Sequence, residues 1–200
     1  MLRKIALSFV FVTTVLACGQ KKTTETVVVQ PQALNPSSRT ISIDPFSALL
    51  GGSASYSSGF GPNAGINLLE GGNGQFSFGF TVPDDLSASQ NFIIRILWHL
   101  PETGCAVVLR PNYISVAKAN SSHVVGGGAA TGLAMVGGTV IAAPGSPDVS
   151  VVTEAQVSSP DGVTPFAPGD SVIVGFFRDS LSVSDTCIED VTIQGLQVRY

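Results

Sequence analysis

The stretch Phe76-Ser77-Phe78-Gly79-Phe80-Thr81-Val82 places a large apolar side chain at every second position and a small or polar one between. In an extended chain successive side chains point to opposite faces, so this spelling makes a strand with one apolar face and one wettable face. Residues 91–100 repeat the signal: Phe92, Ile94, Ile96, Trp98 and Leu100 share one parity, while Ile93, Arg95, Leu97 and His99 share the other. The even set is assigned to the core, which turns Arg95 and His99 outward. Each such strand must lay its apolar face on another layer, and no helical period competes in the body of the chain. The aromatic stripe at 76–80 is read in the same way, as core rather than as a binding platform.

The remaining segments fit that scheme. Residues 40–43 alternate as a short first strand, and 47–63 read as loop or irregular edge strand. Residues 66–69 form a strand ended by the turn Gly71-Gly72-Asn73-Gly74. Residues 105–116 return as a strand broken at Pro111, which suits an edge or a bulge. The uncharged run 124–143 has the length of a membrane helix, but it carries six glycines, and Gly137-Gly138 between two apolar quartets predicts a hairpin. Residues 149–158 alternate as a half-buried strand. Val172, Ile173, Val174, Phe176 and Phe177 predict a central strand covered on both faces. In the last segment Val191 and Ile193 share one parity and Leu196, Val198 and Tyr200 the other, so a bulge near Gly195 is needed to keep the apolar set inward. Eight to ten short strands separated by turns predict an all-β, antiparallel two-sheet sandwich.

Charge excludes one class of partner. Residues 39–200 hold six basic and thirteen acidic side chains, a net of −7, and no cluster of Lys or Arg that would neutralise phosphates. Nucleic acid is therefore not an expected partner.

The first twenty residues carry an address. Arg3 and Lys4 precede an uncharged, mostly apolar run from Ile5 to Leu16, too short to span a bilayer, and the run ends in Leu16-Ala17-Cys18-Gly19. This order resembles the lipobox of bacterial lipoproteins. The resemblance implies cleavage after Ala17 and acylation of Cys18 (palmitate among the chains), leaving a protein held on a membrane of the cell envelope. Gly19, rather than Asp, at the second mature position resembles the lipoproteins of the outer membrane. The expected organisation is a signal peptide at 1–17, a lipidated cysteine and flexible tether at 18–38, and a β-sandwich domain at 39–200. With Cys18 acylated, Cys105 and Cys187 remain; in an exported chain they either form a disulfide or stay as two buried thiols.

Several short pieces of the body also have a familiar order. A strand ending Val82-Pro83-Asp84, a strand ending Ile96-Leu97-Trp98, and a close running through Gly169-Asp170, Phe177-Arg178-Asp179, Ser184-Asp185-Thr186, Asp190-Val191 and Val198-Arg199-Tyr200 resemble jelly-roll modules of phage tail-fibre, virion and surface proteins. The resemblance implies a jelly-roll arrangement of the sandwich and no catalytic residue.

Catalytic and cofactor chemistry finds little support. There is no Gly-x-Ser-x-Gly elbow, no phosphate-binding glycine loop and no Cys-x-x-Cys pair, and His99 and His123 lack ligand-spaced partners. No cofactor or metal is expected. Arg178, Asp179, Asp185, Glu189 and Asp190 gather before the last strand. They are read as an ion pair from Arg178 to Asp185 or Asp190 that pins a loop, with a calcium loop as the weaker option. The expected role is a non-enzymatic binding or structural module for a carbohydrate or an envelope protein. The alternative is a carbohydrate-active hydrolase or a calcium-dependent carbohydrate-binding module. Tyr56, Phe60, Tyr113 and Phe166 lie outside the strict alternation and are the candidate ligand-binding aromatics.

Overall fold

A computed structural model describes residues 39–59, 64–86, 91–120, 124–126, 132–147, 149–160, 162 and 164–200. Cys18, Phe60 and His123 lie outside these residues. Among the described residues the chain forms thirteen strands and a single 3-10 turn, Pro45–Ser47. The strands are β1 (Thr40–Ile43), β2 (Leu49–Gly51), β3 (Ala54–Ser58), β4 (Ala64–Leu68), β5 (Gln75–Thr81), β6 (Phe92–His99) and β7 (Ala106–Ala117). They continue as β8 (Val124–Gly126), β9 (Leu133–Met135), β10 (Val140–Ala142), β11 (Val151–Val157), β12 (Ser171–Arg178) and β13 (Val191–Arg199).

Two antiparallel sheets result. Sheet A runs β3-β4-β13-β6-β11-β9, with β1 beside the second half of β13; sheet B runs β10-β7-β12-β5-β2, with β8 beside the second half of β7. Within each sheet, strands from early and late in the chain interleave, as β4-β13-β6-β11 in one and β5-β12-β7-β10 in the other. That is the double Greek-key order of a jelly roll. The all-β sandwich expected from the alternation is the observed fold.

The apolar residues of each strand's inward parity meet between the sheets. Phe76, Phe78 and Phe80 of β5 and Val172, Val174 and Phe176 of β12 face Phe92, Ile94, Ile96 and Trp98 of β6 and Ile193, Leu196 and Val198 of β13. The Phe76 and Phe176 rings stack with centroids 5.6 Å apart, and the Trp98 indole N–H donates to Thr153 Oγ1 at 2.8 Å. Each large side chain so buried contributes about 1.5–3 kcal/mol relative to exposure. Leu196 joins the core only because the β13–β6 register shifts between Ile193 and Gly195, the bulge that the change of parity demanded.

One end of the sandwich is locked by polar contacts. Arg178 and Asp185 are both buried, and the guanidinium grips the carboxylate at two points, Nε to Oδ2 at 3.1 Å and Nη2 to Oδ1 at 2.9 Å. Its other donors reach the carbonyls of Leu68, Cys187 and Glu189, so all five N–H groups are used. Asp185 Oδ2 also accepts from the Val108 N–H at 3.0 Å. The Arg178 ion pair is thus the loop pin expected, with Asp185 as partner; Asp190 instead accepts from the Glu70 N–H at 2.9 Å. Cys105 and Cys187 form a disulfide at the same end, with Cα atoms 5.1 Å apart.

Four expectations need correcting. His99 is buried, not outward: its Nε2 lies 2.5 Å from the Pro147 carbonyl, so the segment before β11 covers it. Gly137-Gly138 is no hairpin, because β9 pairs with β11 in sheet A and β10 with β7 in sheet B. Both glycines have positive φ, and they carry the chain from one sheet to the other. The two faces of β12 differ: Val172, Val174, Phe176 and Arg178 are buried, whereas Ile173 is exposed on the outside. Residues 47–63 contain two edge strands, β2 and β3, so thirteen strands replace the eight to ten expected.

Candidate ligand-binding face

Pro111 cannot donate to a ladder. Among the described residues, β10 pairs with residues 106–108 of β7 and β8 with 115–117, and no strand pairing falls between them. On the other side the β7–β12 register shifts: Gly175 faces Tyr113 and Phe176 faces Pro111, so Asn112 is the extra residue of a bulge. Of the edge or bulge expected at Pro111, the bulge is present.

The bulge shapes the outer face of sheet B. Asn112 donates its side-chain N–H to Gln75 Oε1 at 3.0 Å, across the intervening β12. The half-buried Tyr113 ring rests on the Gly175 backbone: a Cβ at 175 would stand 2.5 Å from Tyr113 Cε1 and 2.7 Å from Cδ1. Only glycine lets the ring settle there. A depression of 200 Å³ opens beside it, between Leu49, Gly51, Gln75, Ser77, Asn112 and Tyr113.

The register places Leu49 and Gly51 of β2, Gln75, Ser77, Gly79 and Thr81 of β5, Ser171, Ile173, Gly175 and Phe177 of β12, and Arg110, Tyr113, Ser115 and Ala117 of β7 on this outer face. Apart from Arg110, none of these is Asp, Glu, Lys, Arg or His. The first charge met is Arg110, whose Nε is held by Asp179 at 2.8 Å. Such a surface offers an aromatic ring, amides and hydroxyls, and apolar side chains at Leu49 and Ile173, which are 72% and 39% exposed. It suits a neutral ligand with apolar faces and many hydroxyls.

The end of β7 is anchored to the loop before β12. Asp170 is buried and accepts from Lys118 Nζ at 2.8 Å and from the N–H groups of Ala167 and Ala119 at 2.8 and 3.1 Å. Burial alone would raise its carboxyl, but the Lys118 ammonium and the two backbone donors outweigh that and hold it below its ordinary range.

The three candidate aromatics among the described residues are not brought together. Tyr113 lies on the outer face of sheet B. Tyr56 is on the edge strand β3, 46% exposed, with its hydroxyl donating to the Ala48 carbonyl and its ring 5.7 Å from that of Phe46. Phe166 is buried, edge-on to Phe92 with centroids 5.1 Å apart, and is a core residue rather than a surface platform. Asn112, Gln75, Gly175 and Phe46 were not singled out in the sequence. The available signals were a proline inside an apolar strand and a glycine inside Val172-Ile173-Val174-Gly175-Phe176, both marks of close backbone approach. The described residues contain one His/Cys/Asp/Glu cluster tight enough for a metal, Glu102 with Cys105 and Cys187, and both its sulfurs are committed to the disulfide.

No family model and no curated protein matches the chain. Among solved structures it is similar to an exo-β-1,3-galactanase from Phanerochaete chrysosporium crystallised with galactose, at 14% identity and a TM-score of 0.41, over 80% of this chain and 29% of that one. A family 35 carbohydrate-binding module from Clostridium thermocellum is similar at 12% identity and a TM-score of 0.41, over 80% of this chain and 98% of the module. The C-terminal CBM6 of a laminarinase from Zobellia galactanivorans gives 13% and 0.38, over 81% and 100%. The chain thus spans under a third of the galactanase. No residue's role follows from likeness at this level.

Proposed function

We propose that the protein is a non-catalytic glycan-binding module, held on the cell envelope through acylated Cys18, that takes a neutral polysaccharide on the outer face of sheet B. The observation that carries this reading is the Tyr113 ring seated on Gly175, next to the Asn112–Gln75 amide pair, on a face whose one charged side chain in the register, Arg110, is paired with Asp179. Sugar rings present C–H faces to an aromatic ring and hydroxyls to amides, and a neutral face imposes no charge selection. His99, the one described histidine, supports no hydrolytic reading, since its Nε2 is taken by the Pro147 carbonyl in a buried position.

The test is affinity electrophoresis of the purified protein through gels containing laminarin, xylan or galactan, with Tyr113→Ala alongside. Retardation by at least one neutral glycan, weakened about thirtyfold (about 2 kcal/mol) in the variant, is expected. Free migration through all three gels, or equal retardation of the variant, would refute the reading. Intact-mass measurement of membrane-extracted protein checks the anchor: it should begin at Cys18 and carry acyl mass.

A further inference from the structure

The outer face of sheet A carries a second depression, of 280 Å³, and it is built differently. Across the central strand β6 the register sets two rows side by side. Val152, Leu97 and Gly195 form an apolar row; Glu154, Arg95, Gln197 and Ser42 form a polar row next to it. The bulge in β13 places Gly195, which has no side chain, where the apolar row needs a third one, and the depression is the space left above it. Leu97 and Val152, 36% and 45% exposed, form its wall, and Arg95, Gln194 and Gln197 its polar border.

The charges at that border do not cancel. Arg95 Nε and Arg199 Nη1 stand 3.2 and 3.5 Å from the same oxygen of Glu154, so two guanidinium groups share one carboxylate. The Nε atoms of both arginines are shut off from water and have no hydrogen-bond partner, so Glu154 compensates them poorly. Asp44, beside the lining residue Pro45, is occupied as a cap on the Phe46 N–H at 3.0 Å. Arg95, Arg199 and Glu154 thus sum to +1 beside an apolar hollow, with the Asp44 carboxylate as a further charge next to Pro45, on a chain whose net charge is −4.

We infer that this depression binds a small organic monoanion, a carboxylate on a ring or short chain whose apolar side lies over Gly195 against Leu97 while the carboxylate meets Arg95. Charge complementarity selects the carboxylate, and the missing side chain at Gly195 sets the size of the apolar part. The site is on the opposite sheet from Tyr113 and does not depend on glycan binding.

The probe pair is cyclohexanecarboxylate and its neutral counterpart cyclohexylmethanol, titrated into the isotopically labelled protein at low ionic strength and followed by amide chemical shifts. The carboxylate should shift Arg95, Leu97, Gly195 and Gln197 and bind about tenfold more tightly than the alcohol. Arg95→Gln should remove that preference. Gly195→Leu should remove binding of both probes, and position 195 has room for a Cβ, which would stand 3.5 Å from Leu97 Cβ. Glu154→Gln, which frees both arginines, should tighten the carboxylate about tenfold further, an effect no loss of folding can imitate. Tyr113→Ala should change nothing here. Equal binding of the two probes, an undiminished preference in Arg95→Gln, or shifts confined to other residues would overturn the inference.

Discussion

The two outer faces of the sandwich use the same device and end with opposite chemistry. Among the described residues each sheet has one β-bulge with a glycine at or opposite it, Gly175 facing the Asn112 bulge in sheet B and Gly195 within the β13 bulge in sheet A. In sheet B the space above the glycine is occupied by the Tyr113 ring, and the surrounding positions are neutral. In sheet A the space above Gly195 is open, and the neighbouring row carries Arg95, Glu154 and Gln197. A bulge supplies a local break in the pleat; whether that break becomes a platform or a hollow is decided by the side chain on the adjacent strand. The two faces should therefore fail separately when their own glycine is changed, and together when the frame beneath them is loosened.

The largest effect is expected from the frame. Arg178→Met leaves Asp185 buried, with the guanidinium gone and only the Val108 N–H of its contacts here remaining. Removing one partner of a buried pair costs about 3–5 kcal/mol, a large part of the stability of a domain this size. Urea denaturation should show the unfolding free energy falling by that amount, with a lower midpoint, and both faces should lose their ligands in parallel. A loss of less than about 1 kcal/mol would mean that the pair is not buried as described.

Gly175→Val comes next and discriminates between the faces. Its Cβ would fall within 2.5 Å of the Tyr113 ring, which must swing away or push the strands apart, at a cost of about 1–3 kcal/mol. Glycan retention should vanish while the Arg95 face keeps its probe preference. The Lys118–Asp170 pair gives a smaller, pH-dependent version of the same asymmetry, because it ties the end of β7 to the loop leading into β12. The Asp170 carboxyl is lowered in the folded protein, so its contribution is complete above the ordinary value of 3.8 and is lost as pH falls through the folded value. Asp170→Asn should cost about 1–2 kcal/mol at neutral pH and flatten the acid limb of the stability curve. An unchanged acid limb would assign the acid sensitivity to other carboxylates.

What the sequence revealed and what it hid divide along the same physical line. Alternation within one strand is local, so the Phe76–Phe80 stripe, the parity of 92–100 and the slip at Gly195 were all legible. So was the grouping of Arg178 with Asp185, seven positions apart. Features that depend on which distant segment arrives were not. His99 has the parity of an outward residue and is buried by Pro147, 48 positions later, and Phe166 is drawn inward by Phe92. Gly137-Gly138 has hairpin chemistry, but turn chemistry does not state which sheet the next strand will join. The candidate site was half legible. Tyr113 stood out as an aromatic outside the strict alternation, whereas its partners Gln75 and Gly175 are 38 and 62 positions away and only the topology brings them to it.

The smallest effect is the most informative about the comparison. Gly195→Val makes the same change of residue type as Gly175→Val, at the corresponding feature of the other sheet. At Gly195 a Cβ would meet Leu97 Cβ and Cδ2 at 3.5 and 3.6 Å, ordinary packing distances, and the backbone there does not need the left-handed region that favours glycine. Replacing glycine by a β-branched residue in a strand also removes unfolded-chain entropy and adds packed surface. Stability should therefore stay within about 0.5 kcal/mol of the parent, or rise slightly. Glycan retention should be untouched, and the hollow beside Arg95 should be partly filled. If thermal denaturation instead showed Gly195→Val as damaging as Gly175→Val, the difference between a covered and an uncovered bulge would not be what separates the two faces.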